Sequence, residues 1–487
     1  MLILSILFPM LLGLGILLKR DFRSRKTLLA LTGAGLTVTA ALGLCVVLGP
    51  DAELMLFSLG KNLDLYFHVD GLGRLFALIV NVVWVLAGFY SFEYMKHEQE
   101  ESRFFGFYLM VHGVLHGLVF SGGMVTFYLF YELMTLLSVP LILHSRTKDA
   151  IKGGLKYLFY SLFGAYLVFF GLFFLNRFAG SLRFLPGGNL DFSAVAGNEA
   201  LMLVVAFSMI LGFSVKAGMF PLHAWLPTAH PVAPAPASAV MSGIIVKMGV
   251  LGMIRVVFYL IGGDFLRGTW VQTAWMTLSL VTVFMGSMLA YREKILKKRL
   301  AYSTVSQASY ILFGLSLLQP AAMTGALLHV AFHAVIKACL FLSAGAIIYK
   351  THKTNVEELR GIGKEMPAAI WCYTFASAAL IGIPPASGFI SKWYLATGAL
   401  NSGIEPFSWL GPVVLLISAL LTAGYLLPVT INGFLPGADY DYGSLEKKEP
   451  NLTMLLPLLI LAALAIVLGL FPNPLTDWIT DLVHTVL

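Results

Sequence analysis

Apolar runs of about twenty residues, divided by short polar loops, follow one another along the whole of this chain. A helix of that length crosses the hydrocarbon of a bilayer, where backbone N–H and C=O groups must find partners within the protein. The runs predict about fourteen spans, near residues 2–18, 27–49, 72–95, 104–121, 123–143, 153–178, 200–220, 236–262, 271–291, 301–319, 322–349, 367–400, 408–430 and 453–472. Hydrophobic residues make up 58% of the chain and charged residues 12%, against about 25% charged in a soluble domain. The expected fold class is therefore an all-α polytopic membrane protein. The first run begins without a basic segment and shows no small-residue cleavage site, so it is expected to be a first helix and not a removed signal. The tail from Asn473 to Leu487 is expected as a short amphipathic surface helix.

The net charge of +7 is placed in alternate loops. Lys19–Lys26, Lys96–Arg103, Arg146–Lys156, Arg292–Arg299 and Lys350–Lys364 follow spans one, three, five, nine and eleven. Basic loops stay cytoplasmic, so both termini are expected on the outer side of a cell inner (plasma) membrane. The basic excess thus speaks for a lipid bilayer and not for nucleic acid. Cys45, Cys339 and Cys372 lie in apolar segments without metal-ligand or CxxC spacing and read as small buried hydrophobes. The longest polar stretch, Asp439–Asn451, reads as a loop, and no soluble domain is expected.

Several of the spans carry charge. Gly212-Phe213-Ser214-Val215-Lys216 lies within span seven, and Gly388-Phe389-Ile390-Ser391-Lys392 repeats its pattern within span twelve. A charged side chain at the bilayer centre costs about 2.5–3.5 kcal/mol on insertion scales, and such residues mark ion or proton pathways. Both segments are interrupted, the first at Gly218, Pro221 and Pro227, the second at Gly382, Pro384, Pro385 and Gly388. Broken helices persist in lipid only where the freed backbone is buried or lines a cavity. Spans seven and twelve cross in opposite directions, which suits two inverted five-helix repeats. The division expected is helices 1–3 in residues 1–95, a first repeat of helices 4–8 in 104–262, a second of helices 9–13 in 271–430, and helix 14 with its tail in 453–487.

The candidate proton-translocating residues are Glu132, Lys216, Lys247, His329, His333, Lys337 and Lys392. Glu132 in span five would stay charged beside a lysine, for which Lys216 is the natural candidate. His329, His333 and Lys337 stand four residues apart on one stripe of span eleven, covering about 12 Å. Histidine titrates near neutral pH, and a desolvated lysine approaches that range. The plainer readings are a static ion pair for Glu132 and Lys216, snorkelling for Lys247, hydrogen-bonded packing for the histidines and a helix-end position for Lys392. His112 and His116 share a face of span four and serve packing or a secondary polar role.

These stretches carry a resemblance. KAGMFPLHAWLPTAHPVAPAPASAVMSGIIVKMG from Lys216, Lys298-Arg299-Leu300-Ala301-Tyr302-Ser303, HVAFHAVIKACLFLSAG from His329 and GIPPASGFISKW from Gly382 resemble the antiporter-like membrane subunits of respiratory complex I, Mrp-type cation/proton antiporters and membrane-bound hydrogenases. The resemblance covers nearly the whole chain. It implies fourteen helices in two inverted repeats and a proton pathway along a hydrophilic axis, with Glu132 paired to Lys216, Lys247 as bridging lysine, the span-eleven relay and Lys392 at the exit. The length and the run Gly361–Pro367 look most like the D-type Mrp subunit and its hydrogenase counterparts. Thr228 departs from relatives that carry Asp there, which removes an acidic group near the cytoplasmic entrance.

The expected partners are other membrane subunits of a multisubunit complex, with protons as the cargo and Na+ as a further candidate within the complex. No cofactor or metal is expected, because no cysteine set or nucleotide motif could hold one; any redox chemistry would belong to other subunits. Two other readings stand beside this one: a stand-alone transporter of a small solute, and a scaffold whose buried charges only lock helix packing.

Overall fold

The computed structural model describes every residue except 20, 21, 23, 59, 61 and 442–445. The basic segment after the first helix and the polar stretch Asp439–Asn451 therefore lie partly outside the described residues. The helices run α1 (Leu2–Lys19), α2 (Arg25–Leu48), α3 (Gly71–Tyr94), α4 (Glu101–Val119), α5 (Met124–Ile142), α6 (Lys148–Phe178) and α7 (Glu199–Ala217), with a short helix Leu226–Val232 beyond the break that follows Ala217. They continue with α8 (Ala235–Ile261), α9 (Trp270–Arg292), α10 (Leu296–Ser316) and α11 (Pro320–Thr351). After these come α12 in two pieces (Pro367–Ile381 and Ser387–Leu400), α13 (Phe407–Phe434), α14 (Leu452–Leu470) and α15 (Asn473–Val486).

Eleven of these helices are long and apolar enough to cross a membrane, so the chain is a mostly helical, multi-pass membrane protein. The other three expected spans are helical but diluted or divided. α4 carries His112 and His116, α10 opens on Lys297, Lys298 and Arg299 and is rich in hydroxyls, and α12 breaks between Ile381 and Ser387. Side-chain caps set several starts. Asp70 accepts from the Gly73 N–H ahead of α3, Thr147 from Ala150 ahead of α6, and Asn451 from Met454 ahead of α14.

One expectation needs correction: the chain is not all-α. Glu53–Ser58 (β1) and Asp64–His68 (β2) form an antiparallel hairpin between α2 and α3, pairing Glu53 with His68 and Ser58 with Asp64. Its second strand is held down by burial of Phe67 and by the Tyr66 N–H, which donates to Thr126 Oγ1 at 2.8 Å. Too short to span lipid, it lies in the loop on the face opposite the basic loops.

The core is formed by α8 and α11, whose apolar windows are 100% and 94% buried, while α1, α6 and α13 keep only 33% of theirs buried. Small residues bring the helices around α7 close. A Cβ on Gly164 would meet the Gly212 carbonyl at 2.5 Å, and the reverse substitution meets the same limit; one on Gly249 would meet the Phe213 carbonyl at 2.7 Å. α15 buries Ile479, Leu482, Val483 and Val486, and it packs against α11 and the start of α3. The expected amphipathic tail is thus a helix whose apolar face is covered by protein.

Candidate functional site

α8 departs from α-helical geometry at Met241–Ile245, where one turn widens to a π-helix. Such turns recur at functional sites because they change the backbone pairing locally. Lys247 follows this turn, and its Nζ donates to the Ser242 carbonyl at 2.6 Å. The same Nζ lies 2.6 Å from His333 Nδ1 on α11. Lys247 therefore faces the centre of the protein, with 1% of its surface exposed, and does not snorkel.

From His333 the polar line continues along α11. The rings of His333 and His329 stack with centroids 5.6 Å apart, as the four-residue spacing requires. His329 Nδ1 lies 2.9 Å from Ser391 Oγ on the second piece of α12, and its ring stacks on Tyr310. Lys392 Nζ stands 5.1 Å from the centroid of that same Tyr310 ring. It donates to the carbonyls of Leu380 and Ile381 at 2.6 and 2.9 Å. Those carbonyls are the ones left over where the first piece of α12 stops, and Gly382 turns the chain there at φ +92°. Lys337 stands one turn beyond His333 and donates to Ser303 Oγ at 2.5 Å and to the Leu300 carbonyl at 3.1 Å, both on α10. His329 and His333 each keep a buried Nε2 with no hydrogen-bond partner.

Lys216 solves its burial differently. It ends α7, and its Nζ donates to three neutral hydroxyls, Thr135 Oγ1 at 2.9 Å, Tyr157 OH at 2.9 Å and Ser161 Oγ at 2.8 Å. The ammonium also sits 4.3 Å from the Tyr157 ring centroid. Trp225 Nε1 donates to the Val215 carbonyl at 2.7 Å, satisfying an acceptor released by the break after Ala217. The two lysines of the repeated pattern thus lie on different sides of their breaks: Lys216 precedes its own and Lys392 follows its own.

The expected direct pairing of Glu132 with Lys216 is not formed. Glu132 is partly exposed at the side of α5, and its Oε1 is buried without a partner. The hydroxyls of α5 and α6 occupy the place the carboxylate was expected to fill. No hydrogen bond joins Lys216 to Lys247 among the described residues. Thr228 accepts from Lys156 Nζ at 3.1 Å. His112 and His116 lie apart from the line; both turn Nε2 toward Asn81 Oδ1, at 3.3 and 3.0 Å.

Sequence reading missed other buried polar groups. The hydroxyl-rich run of α10 supplies Ser303 and Tyr310, and Ser391 completes the link to Lys392. Arg255 is a further charge inside α8, and the criterion that found Lys247 would have found it. Its guanidinium forms a bidentate pair with Asp70 and lies 4.7 Å from the Tyr259 ring centroid. Burial pushes the Asp70 carboxyl up, but the Arg255 charge and hydrogen bonds outweigh it and hold Asp70 below the usual carboxylate range. Among the described residues, no three His, Cys, Asp or Glu side chains gather as a metal set.

Residues 121–429 match the family described as "NADH:quinone oxidoreductase/Mrp antiporter, TM", and 56–105 match "NADH-Ubiquinone oxidoreductase (complex I), chain 5 N-terminus". The chain is 31% identical over 444 residues to hydrogenase-4 component B of Escherichia coli, covering 86% of this chain and 64% of that protein. It thus spans a little under two thirds of that relative's length. It is 28% identical over 488 residues to the D-type Na(+)/H(+) antiporter subunit of Alkalihalophilus pseudofirmus, covering 98% of this chain and 95% of that protein. The fold superposes on a chain of the Mrp complex from a Dietzia species with a TM-score of 0.84 at 20% identity, over 100% of this chain and 97% of the other.

Proposed function

The chain belongs to the NADH:quinone oxidoreductase/Mrp antiporter transmembrane family, and on that premise we propose that it is the proton-translocating, antiporter-like subunit of a multisubunit membrane complex. The observation that carries this reading is the buried line from Lys247 through His333, His329 and Ser391 to Lys392. Proton hopping needs groups that exchange a proton at hydrogen-bond distance, room for water between them, and apolar walls against leakage. A proton on Lys247 passes to His333, then to His329, and leaves toward Lys392 by way of the Ser391 hydroxyl. Lys216 in its hydroxyl cradle forms the other end of the row, and Lys337 stores charge beside it. Glu132, partly exposed and without a direct partner, lets a neighbouring subunit change the field at Lys216.

The finer architecture belongs to the same reading. Residues 104–262 and 271–430 form two inverted repeats within fourteen helices, flanked by 1–95 and 453–487. The basic loops face the cytoplasm across the plasma membrane, which leaves both termini outside. The breaks of α7 and α12 support this division. A small-solute site would gather its polar groups around one cavity, whereas here they are strung out along adjacent helices.

The test is transport by the intact complex, purified gently from native membranes and reconstituted in vesicles. Lys247→Met abolishes proton movement if the line conducts; unchanged transport overturns the reading. Mass spectrometry of the copurifying subunits then identifies the energy source. Membrane partners alone mean an opposing cation gradient, and iron–sulfur or nickel proteins mean a redox module.

A further inference from the structure

Two cavities on the basic-loop face share a wall. The outer, of about 380 Å³, is bounded by His97, Glu100, Arg103, His144 and Arg146. The inner, nearer the relay and about 180 Å³ in volume, lies between Tyr94, the Pro231–Pro234 turn and Lys297 and is itself half-open past the exposed Ile295 and Thr354. Glu98 and Ser145 line both. At about 30 Å³ per molecule the inner cavity has room for roughly six waters.

Glu98 follows α3 between two exposed neighbours and is itself half-buried. Among the described residues it forms no ion pair, and burial holds its carboxyl above the usual carboxylate range although Lys297 and His97 pull the other way. Across the inner cavity, Lys297 is 6% exposed. Among the described residues no carboxylate pairs with it; its Nζ donates instead to the carbonyls of Pro231, at 3.3 Å, and Ala233. A buried ammonium held only by backbone carbonyls is a costly arrangement. The residue before Pro231 is His230, fully buried, with both ring nitrogens unpartnered. Its ring stacks on Phe341 of α11 at 4.7 Å, one turn beyond Lys337. A titratable group thus stands at each step from the basic-loop face to the helix that carries the relay.

We propose that this double cavity is the uptake vestibule of the relay, with Glu98 as the proton acceptor on the shared wall and Lys297 as the donor to His230. The inference rests on the proton-translocating reading and names where its protons come from. Lys297 gives one ammonium proton to a free ring nitrogen of His230. Its neutral amine is recharged from the Glu98 carboxylic acid through water in the inner cavity, and the Glu98 carboxylate takes the next proton from the outer cavity. His230 passes its proton on to Lys337 of the relay, so that one proton moves inward per cycle and each group returns to its starting state.

The test uses the whole complex in vesicles with the basic-loop face accessible, comparing Glu98→Gln, Glu98→Cys, Lys297→Met and Lys247→Met with wild type. Glu98→Gln and Lys297→Met are expected to slow proton transport roughly 100-fold or more in a complex of normal composition. On Glu98→Cys, a carboxyethyl methanethiosulfonate reagent restores a protonatable carboxyl and the rate. A sulfonatoethyl reagent of equal charge does not. Wild type with the same reagents controls for Cys45, exposed toward the far end of α2. Rescue by both reagents would reduce Glu98 to a fixed charge and overturn the proposal. So would wild-type rates in Glu98→Gln with Lys247→Met inactive, a result that leaves the relay standing. Wild-type rates in Lys247→Met would instead overturn the relay and the vestibule with it. Should Lys297→Met fail to assemble, the two reagents on Glu98→Cys still decide.

Discussion

Lys247 Nζ and His333 Nδ1 lie 2.6 Å apart between α8 and α11, whose apolar segments are almost wholly buried. Two basic groups at that distance cannot both hold a proton without strong repulsion, so they behave as one coupled pair. Lys247→Met leaves His333 without a partner on either ring nitrogen while keeping the volume of the stem. Proton transport in reconstituted vesicles should fall by about 100-fold or more. The complex should still assemble on a native gel, because the substitution removes a buried charge and not a packing surface.

The cradle of Lys216 separates a direct contact from a long-range one. Tyr157 OH touches both Lys216 and Ser138, at 2.9 and 2.7 Å. Tyr157→Phe removes both contacts and should destabilise the chain by about 1–3 kcal/mol, read as a lower unfolding temperature in detergent. Glu132 touches neither group, so Glu132→Gln should leave that temperature nearly unchanged and still impair transport. Equal losses of stability in the two variants would show that Glu132 acts as a packing group.

Lys392 and His329 lie on the same line but differ in what can replace them. Lys392 Nζ satisfies the Leu380 and Ile381 carbonyls, so Lys392→Ala strips both acceptors as well as the proton carrier. His329→Ala leaves Ser391 in place and opens space that a water can fill. Transport should therefore fall further in Lys392→Ala than in His329→Ala, measured as the initial rate in the same vesicles. Equal and mild losses would remove both residues from the pathway.

What the sequence made legible follows from periodicity and insertion cost. Apolar length located the helices, Gly and Pro located the breaks in α7 and α12, and a four-residue step put His329, His333 and Lys337 on one stripe. Side-chain reach was not legible. Opposite charge points to a Glu132–Lys216 pair, yet Thr135, Tyr157 and Ser161 hold the ammonium, and hydroxyls carry no mark in an apolar run. Lys297 was invisible for the opposite reason. In Arg292–Arg299 it reads as one more basic loop residue, and only the turn at Pro231–Pro234 shows it buried. The hairpin at Glu53–His68 occupies a segment shorter than a span, which apolar length alone does not register.

His144 tests the electrostatics of the basic-loop face. It lies just past α5 and is 4% exposed. Arg103 donates to its carbonyl oxygen, and an Arg103 nitrogen lies 3.4 Å from its Nδ1. Burial first, and the Arg103 charge second, bring its pKa down from 6.5 to about 4. Between those two values the unfolded chain binds a proton that the folded chain refuses, so stability rises with pH across that window. The contribution is fully present above about 6.5, declines as the pH falls, and is gone below about 4. At 1.36 kcal/mol per pH unit the whole effect is about 3 kcal/mol. His144→Phe keeps a ring in the same place, 5.5 Å from Phe104, and cannot titrate. Its unfolding temperature should therefore drop less than that of wild type when the pH is lowered from about 7 to about 4.5. Parallel drops would mean that the His144 ring is wet enough to take up its proton in the folded state, and the outer cavity would then reach further inward than its walls suggest.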